Sequence, residues 1–268
     1  MVKKKFFYNL LAISFIMKHR LIWFLALASV LLFSPSGKTE ETPAEALNSA
    51  VEMGLPGEVA RLLDAGTDPN TRNDSGWTPL MVAAFNGYDQ IAQLLIERGA
   101  DIRAEGDSGW QALMLAAQFG HRKITRLLLQ KKANVNAASR NGSTALMFAA
   151  GNGHYDIVMD LLKAGGRVDS TDYLGRNPLM FAAIDGHVRI AQVLLENGAD
   201  VDAVDAEGNS ALILAVKGGH EGIVRILLAQ CADLTVQDRK GKTAAQWAEE
   251  KSLERILKLL NNPPACGK

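Results

Sequence analysis

Gly76-Trp77-Thr78-Pro79-Leu80-Met81-Val82-Ala83-Ala84-Phe85-Asn86-Gly87 spells out one short helix together with its start and its stop. Thr78 offers a side-chain oxygen to the free N–H groups of a first turn, and proline suits the first helical position. Leu80, Ala83 and Ala84 then recur at helical spacing on one face. Gly87 supplies the left-handed residue that ends so short a helix. Downstream, Ile91, Leu94 and Leu95 mark the inward side of a second helix, which Gly99 closes in the same way. Ala100-Asp101-Ile102-Arg103-Ala104 leads through an extended turn to the next unit.

That unit repeats. Gly76, Gly109, Gly142, Gly175, Gly208 and Gly241 lie 33 residues apart, and four residues after each stands Leu80, Leu113, Leu146, Leu179, Leu212 and finally Ala245. A second column runs Gly54, Gly87, Gly120, Gly153, Gly186 and Gly219, and a third runs Gly66, Gly99, Lys132, Gly165, Gly198 and Cys231. Three columns in register mark a repeat architecture, in which no unit buries its apolar face alone and the stack is the stable object.

The motifs Gly-Trp-Thr-Pro-Leu-Met-Val-Ala-Ala (76–84), Asn-Gly-His-Tyr-Asp-Ile-Val (152–158) and Leu-Leu-Glu-Asn-Gly-Ala-Asp-Val-Asp-Ala (194–203) resemble the ankyrin repeat over about residues 43–262. The resemblance implies an all-α repeat solenoid, a stack of helix-turn-helix units joined by extended β-turn or hairpin loops. The usual His after Thr-Pro-Leu is absent: Met81, Met114, Met147, Met180 and Ile213 fill its column, so the polar tie that His makes in the family is expected to be missing. The expected layout is a capping repeat at 43–73, five central repeats over 74–238, a second capping repeat at 239–262 and a tail at 263–268. The first cap has Pro43 where the first glycine belongs. The last has Ser252 in place of the second glycine and many Lys and Glu, as a polar outer face requires. Lys132 and Cys231 replace left-handed glycines at a cost on the order of 1 kcal/mol each. Repeat 2 also carries Gln111-Ala112 where Thr-Pro is expected, so the junction between repeats 2 and 3 should be the softest in the array.

Catalytic chemistry is not evident. His121, His154, His187 and His220 are one repeat apart, and helices stacked about 8–10 Å apart cannot bring them to the ~2 Å of a shared zinc. They read as the Gly-His element opening each second helix. The same spacing argues against copper on the Met column, which reads as apolar filler. No Gly-x-Ser-x-Gly elbow, His-Glu-x-x-His or phosphate-binding Gly-x-x-x-x-Gly-Lys-Ser/Thr loop occurs. A non-enzyme with no cofactor, no metal and no small-molecule substrate is expected.

Ankyrin proteins bind other proteins on a concave surface made of turn tips and the exposed side of the first helices. The resemblance therefore points to Trp77, Phe85, Trp110, Phe119 and Tyr173, with the tip cations Arg140 and Arg176, as the partner-binding residues. Trp and Tyr are over-represented among interface hot spots. The same rings could instead pack on one another between repeats. The further first-helix positions on that surface are Asn86, Gln118, Gly151, Asn152, Ile184, Asp185, Lys217 and Gly218, while the repeat pattern turns Phe148 and Phe181 inward. Cys231 and Cys266, the only cysteines, fall near equivalent places in adjacent units. A disulfide between them would contribute roughly 3–4 kcal/mol if unstrained; the alternative is two unrelated thiols.

Residues 1–36 stand apart. Leu21–Phe33 is an apolar run of 13 residues, interrupted by Ser29 alone, that follows Lys18-His19-Arg20 and exits through Ser34-Pro35-Ser36-Gly37. That is the layout of a secretory signal peptide. As a helix the run spans roughly 20 Å, short of the ~30 Å hydrocarbon core. The expectation is a bacterial protein exported to the periplasm, the cell surface or the medium, with 37–42 as a linker. The alternatives are an uncleaved signal-anchor, which would tether a scaffold to the inner membrane, and a cytoplasmic protein with an apolar tail. Met17 opens a compact signal of its own and is the expected true start. Beyond residue 36, 24 Lys and Arg face 29 Asp and Glu, a net of −5. Nucleic acid requires a basic footprint, and this net charge argues against it and against anionic membranes. A monomer whose partner is a protein is expected. Intact-mass measurement of the mature chain checks the leader: loss of residues through about Ser36 is expected, and a chain retaining Leu21–Phe33 would reverse that reading.

Overall fold

The computed structural model describes residues 41–264. Fourteen helices and no strand occur among them, in seven consecutive antiparallel pairs. The pairs are α1 (Pro43–Glu52) with α2 (Pro56–Asp64), α3 (Pro79–Asn86) with α4 (Asp89–Glu97), and α5 (Ala112–Phe119) with α6 (Arg122–Gln130). Then come α7 (Ala145–Gly151) with α8 (Tyr155–Lys163), α9 (Pro178–Asp185) with α10 (Val188–Glu196), α11 (Ala211–Gly218) with α12 (Glu221–Ala229), and α13 (Ala244–Glu250) with α14 (Glu254–Asn261). First helices pack in one row and second helices in another.

The two rows bury themselves differently. A first helix is covered on three sides, by its partner and by both neighbouring units, so Leu80, Met81, Val82, Ala83 and Ala84 are all buried. The alanine pairs Ala83-Ala84, Ala116-Ala117, Ala149-Ala150 and Ala182-Ala183 sit at zero exposure and let adjacent first helices approach. Second helices keep a single inward stripe, such as Ile91, Ala92 and Leu95 in α4. The Met column is core, between 0% and 1% exposed. In α7 it also supplies a weak polar tie, because the Thr144 N–H donates to Met147 Sδ at 3.4 Å.

The helix starts are those the sequence announces. Thr78, Thr144, Asn177, Ser210 and Thr243 each accept from the backbone N–H three residues on. The N-terminal unit departs in detail. Thr42, at the end of the expected linker, is already a cap: its side chain accepts from the Glu45 N–H while Glu45 Oε2 takes the Thr42 N–H. Pro43 is therefore the first residue of a ten-residue helix rather than part of a turn.

Repeat 2 lacks three anchors that its neighbours have. Gln111 makes no side-chain cap, and its Oε1 is buried without a hydrogen-bond partner. Lys132 adopts φ 64°, a left-handed conformation that a β-carbon resists. Gly106 stands where Asn73, Asp172, Asp205 and Asp238 hold the turn tip through a side-chain oxygen. We expect amide exchange to be faster in α5 and α6 than in α7 to α12. We also expect Gln111→Thr with Lys132→Gly to raise the unfolding free energy measured in urea, by about 1 kcal/mol for each change. Uniform protection across the array would show that neighbours compensate in full.

Candidate functional site

The face built from the first helices and the turn tips carries the residues singled out from sequence. Its scaffold is a set of tip turns tied to one another by backbone. The Arg140 N–H donates to the Ser108 carbonyl at 3.0 Å and Tyr173 to Asn141 at 2.9 Å; Ala206 donates to Leu174 at 2.7 Å and Arg239 to Glu207 at 2.8 Å. Within four of the six tips an Asx side chain does the folding. Asp172 Oδ1 accepts from the N–H groups of Leu174 and Arg176, and Asp205 Oδ1 from those of Glu207 and Asn209. This fourth column (Asn73, Gly106, Ser139, Asp172, Asp205, Asp238) also steps by 33 residues. Its varied residue types hide it from a search for identities.

Trp77, Phe85 and Phe119 come together. The rings of Trp77 and Phe85 meet edge-on at 5.5 Å, and Phe85 meets Phe119 at 4.5 Å across the repeat boundary. Trp110 pairs with a ring left out of the expected set, Phe148, at 4.4 Å and a 30° tilt. All five are half-buried, so they pack on one another and still present surface. Phe148 and Phe181, core by the repeat pattern, do pack against the core but are only partly buried, and each keeps some surface. For Phe181 the room comes from Gly151. A β-carbon there would stand 3.3 Å from Phe181 Cδ1, so the missing side chain gives the Phe181 ring its place on the surface.

Tyr173 and Leu174 sit at the tip of repeat 4, 78% and 54% exposed, the two most exposed large apolar side chains among the described residues. Tyr173 makes no ring pair there. Arg140 is exposed on the neighbouring tip. Arg176 is less free than its tip position implies: its guanidinium donates to the buried Asp172 Oδ2 at 2.6 and 2.9 Å and lies 4.7 Å over the Phe181 ring. Cys231 is exposed at φ 62°, and its suggested bridge to Cys266 involves a residue outside the described ones, as do the calls on residues 1–36.

Lys217, expected as an open first-helix position, is instead built into the C-terminal unit. Its ammonium donates to Asp238 Oδ2 at 2.8 Å and lies 4.4 Å from the centre of the Trp247 ring. The Trp247 indole N–H reaches the same carboxylate oxygen at 2.8 Å. Burial works to raise the pKa of Asp238. The Lys217 hydrogen bond, the N–H groups of Lys242 and Lys240 and the indole overcome it and hold the pKa down at about 2. Among the described residues no group of three His, Cys, Asp or Glu side chains could hold a metal, and no helix is long and apolar enough to cross a membrane.

A depressed pKa stabilises the fold above the unfolded carboxylate's range, and that contribution fades as pH falls through about 2. By linkage the contribution is about 2 kcal/mol at neutral pH. In acid titrations Asp238→Asn should lack the part of the stability loss that the parent shows between pH 4 and pH 2. At neutral pH it should expose Trp247, seen as a red-shifted emission, because Lys217 is left buried without its counter-ion. Identical acid profiles would show that the cluster contributes nothing.

Comparison with known proteins agrees with this architecture. The family model for ankyrin repeats (three copies) matches residues 47–139, 133–205 and 197–266. A mitochondrial disaggregase of Bos taurus is 40% identical over 75 residues, which is 28% of this chain and 11% of that protein. The Homo sapiens mitochondrial disaggregase is 38% identical over 71 residues, 26% of this chain and 10% of that protein. The similarity to these relatives thus spans about a tenth of their length, two repeats' worth of chain. With helix pairs at 33-residue intervals and a family match along nearly the whole stack, the chain belongs to the ankyrin-repeat family.

Proposed function

We propose that this chain is a non-catalytic protein–protein interaction module of the bacterial periplasm or cell surface, exported by residues 1–36 and binding its partner on the first-helix and tip face. The observation that carries the reading is the run of half-exposed rings, Trp77–Phe85–Phe119 and Trp110–Phe148, flanked by the exposed Tyr173 and Leu174. Soluble monomers rarely leave contiguous apolar surface of this kind without a partner for it. Aromatic rings held by their neighbours lose little entropy on binding, which makes them effective anchors. Repeats of this family are interaction modules, and nothing in the site supplies a nucleophile next to a base.

Two further readings share the same face and differ in where the chain ends up. A secreted effector would bind a host protein outside the cell, and a membrane-tethered scaffold would keep Leu21–Phe33. Charge does not favour nucleic acid for any of the three, with a net of −5 beyond residue 36.

The test is a pull-down from periplasmic and whole-cell extracts with the tagged full-length chain and its Trp77→Ala/Tyr173→Ala variant. A protein captured by the parent and lost from a variant with unchanged helical circular dichroism is the expected result. Capture that is indifferent to both substitutions would move binding off this face. Recovery of tagged chain from the medium rather than the periplasm would favour the effector.

A further inference from the structure

The binding face reverses its chemistry along the stack. The residue after each tip glycine reads Trp77, Trp110, Ser143, Arg176, Asn209, Lys242. The first-helix column through Phe85 continues as Gln118, Gly151, Ile184, Lys217 and Glu250, and the next column starts at Asn86 and passes through Phe119 to Lys251. At the tips, Asp74 and Asp107 of the first two repeats give way to Arg140 and, at the far end, to Arg239 and Lys240. The column from Trp77 to Lys242 thus passes from rings to cations, and the other columns bring Lys217, Arg239, Lys240 and Lys251 to the same end, beside Glu207 and Glu250.

The cations are arranged rather than scattered. Lys217, Lys240 and Lys242 lie 4.4, 5.3 and 4.7 Å from the Trp247 ring centre. Lys251 Nζ donates to the Lys217 carbonyl at 2.9 Å. Of the carboxylates nearby, Asp238 is paired with Lys217 and Glu250 with Lys242, while Glu207 on the adjoining tip is exposed. Arg239 and Lys240 are exposed, and neither forms a salt bridge among the described residues. Repulsion among these ammonium groups is relieved by any anion that settles there.

We propose that the occupant of this face is a single stretch of polypeptide in which apolar side chains are followed, on one side, by a run of carboxylates. The partner class presupposes the face described under the proposed function and narrows what it takes. At about 8–10 Å per repeat, the rings from Trp77 to Phe181 offer roughly 24–30 Å and the cations from Arg176 to Lys240 roughly another 16–20 Å. The apolar part lies over repeats 1 to 4 and the acidic part over repeat 4 and the C-terminal unit. Steering by the cation end makes association faster at low salt, and the rings hold the segment once docked.

The experiment is selection of a random displayed peptide library, long enough to span both halves, on the full-length chain. It is run in parallel on Arg239→Glu/Lys240→Glu, with Arg239→Gln/Lys240→Gln as the milder pair should the reversal unfold the C-terminal unit. The parent is expected to enrich peptides with large apolar residues beside an Asp/Glu-rich flank. These peptides should bind the charge-altered chain about tenfold more weakly and lose affinity as salt rises. Enriched peptides that are apolar but carry no acidic flank, or that ignore the charge changes, overturn the inference and leave the binding face standing. No enrichment at all overturns both.

Discussion

The stack depends on a joint made four times between consecutive units. His121, His154, His187 and His220 each open a second helix and reach back with Nε2 to a carbonyl 36 residues earlier: Phe85, Gln118, Gly151 and Ile184, at 2.9 to 3.2 Å. A carbonyl only accepts, so the proton must sit on Nε2. Those carbonyls belong to the last turns of the preceding first helices, the groups a helix leaves without internal partners. The ring also lies against the glycine that ends that helix, where a β-carbon at Gly87 would fall 2.4 Å from the His121 ring. One glycine thus serves two needs, the left-handed turn at φ 77° and room for the imidazole of the next repeat.

The ends of the array show what this joint is for. Tyr88 fills the histidine place at the first junction, its ring against Gly54, and Leu253 fills it at the last. Neither repeats the imidazole-to-carbonyl bond, and other contacts close those junctions. Arg98 pairs with Asp64 across the first, and the Lys217–Asp238–Trp247 cluster secures the last. Because the surface pairs are exposed and worth little each, the buried cluster matters more. It is the place where one unit's first helix, the next tip and the first helix of the last unit share a single carboxylate.

Much of this was legible because the helix signals are local and the repeat supplies them many times. Thr78-Pro79, the alanine pairs and the glycine columns fixed the helix boundaries, and the 33-residue step fixed the pairing of units. The Gly-His element could be placed at the second helix, though its carbonyl partner could not, since that contact joins residues 36 apart through the stack. The pattern assigns Phe148 and Phe181 to the core, and it does not show that both keep some surface, Phe181 in the room left by Gly151 of the neighbouring unit. Lys217 was taken for open surface because its counter-ion, Asp238, belongs to a tip of the next unit. The tip column escaped for another reason: Asn73, Asp172, Asp205 and Asp238 accept the same backbone N–H groups, so chemistry repeats there while identity does not, and Gly106 and Ser139 break the run. Residues 1–36 and Cys266 lie outside the described residues, and their roles rest on sequence alone.

In such an array, positions divide by what a substitution can reach. Columns that touch the next unit are held to one residue type by its backbone, as the histidines and their glycines are. Columns that face outward are free to differ from repeat to repeat, and here they differ in a direction. Rings occupy the outward columns where the first helices carry Phe85 and Phe119. Cations occupy them where Trp247 and Asp238 can anchor ammonium groups. A gradient of this kind costs the fold little, because each outward side chain answers only to its immediate neighbours. It also encodes direction: a partner with one apolar and one acidic end can dock in only one sense, and a surface of identical repeats has no means of making that choice.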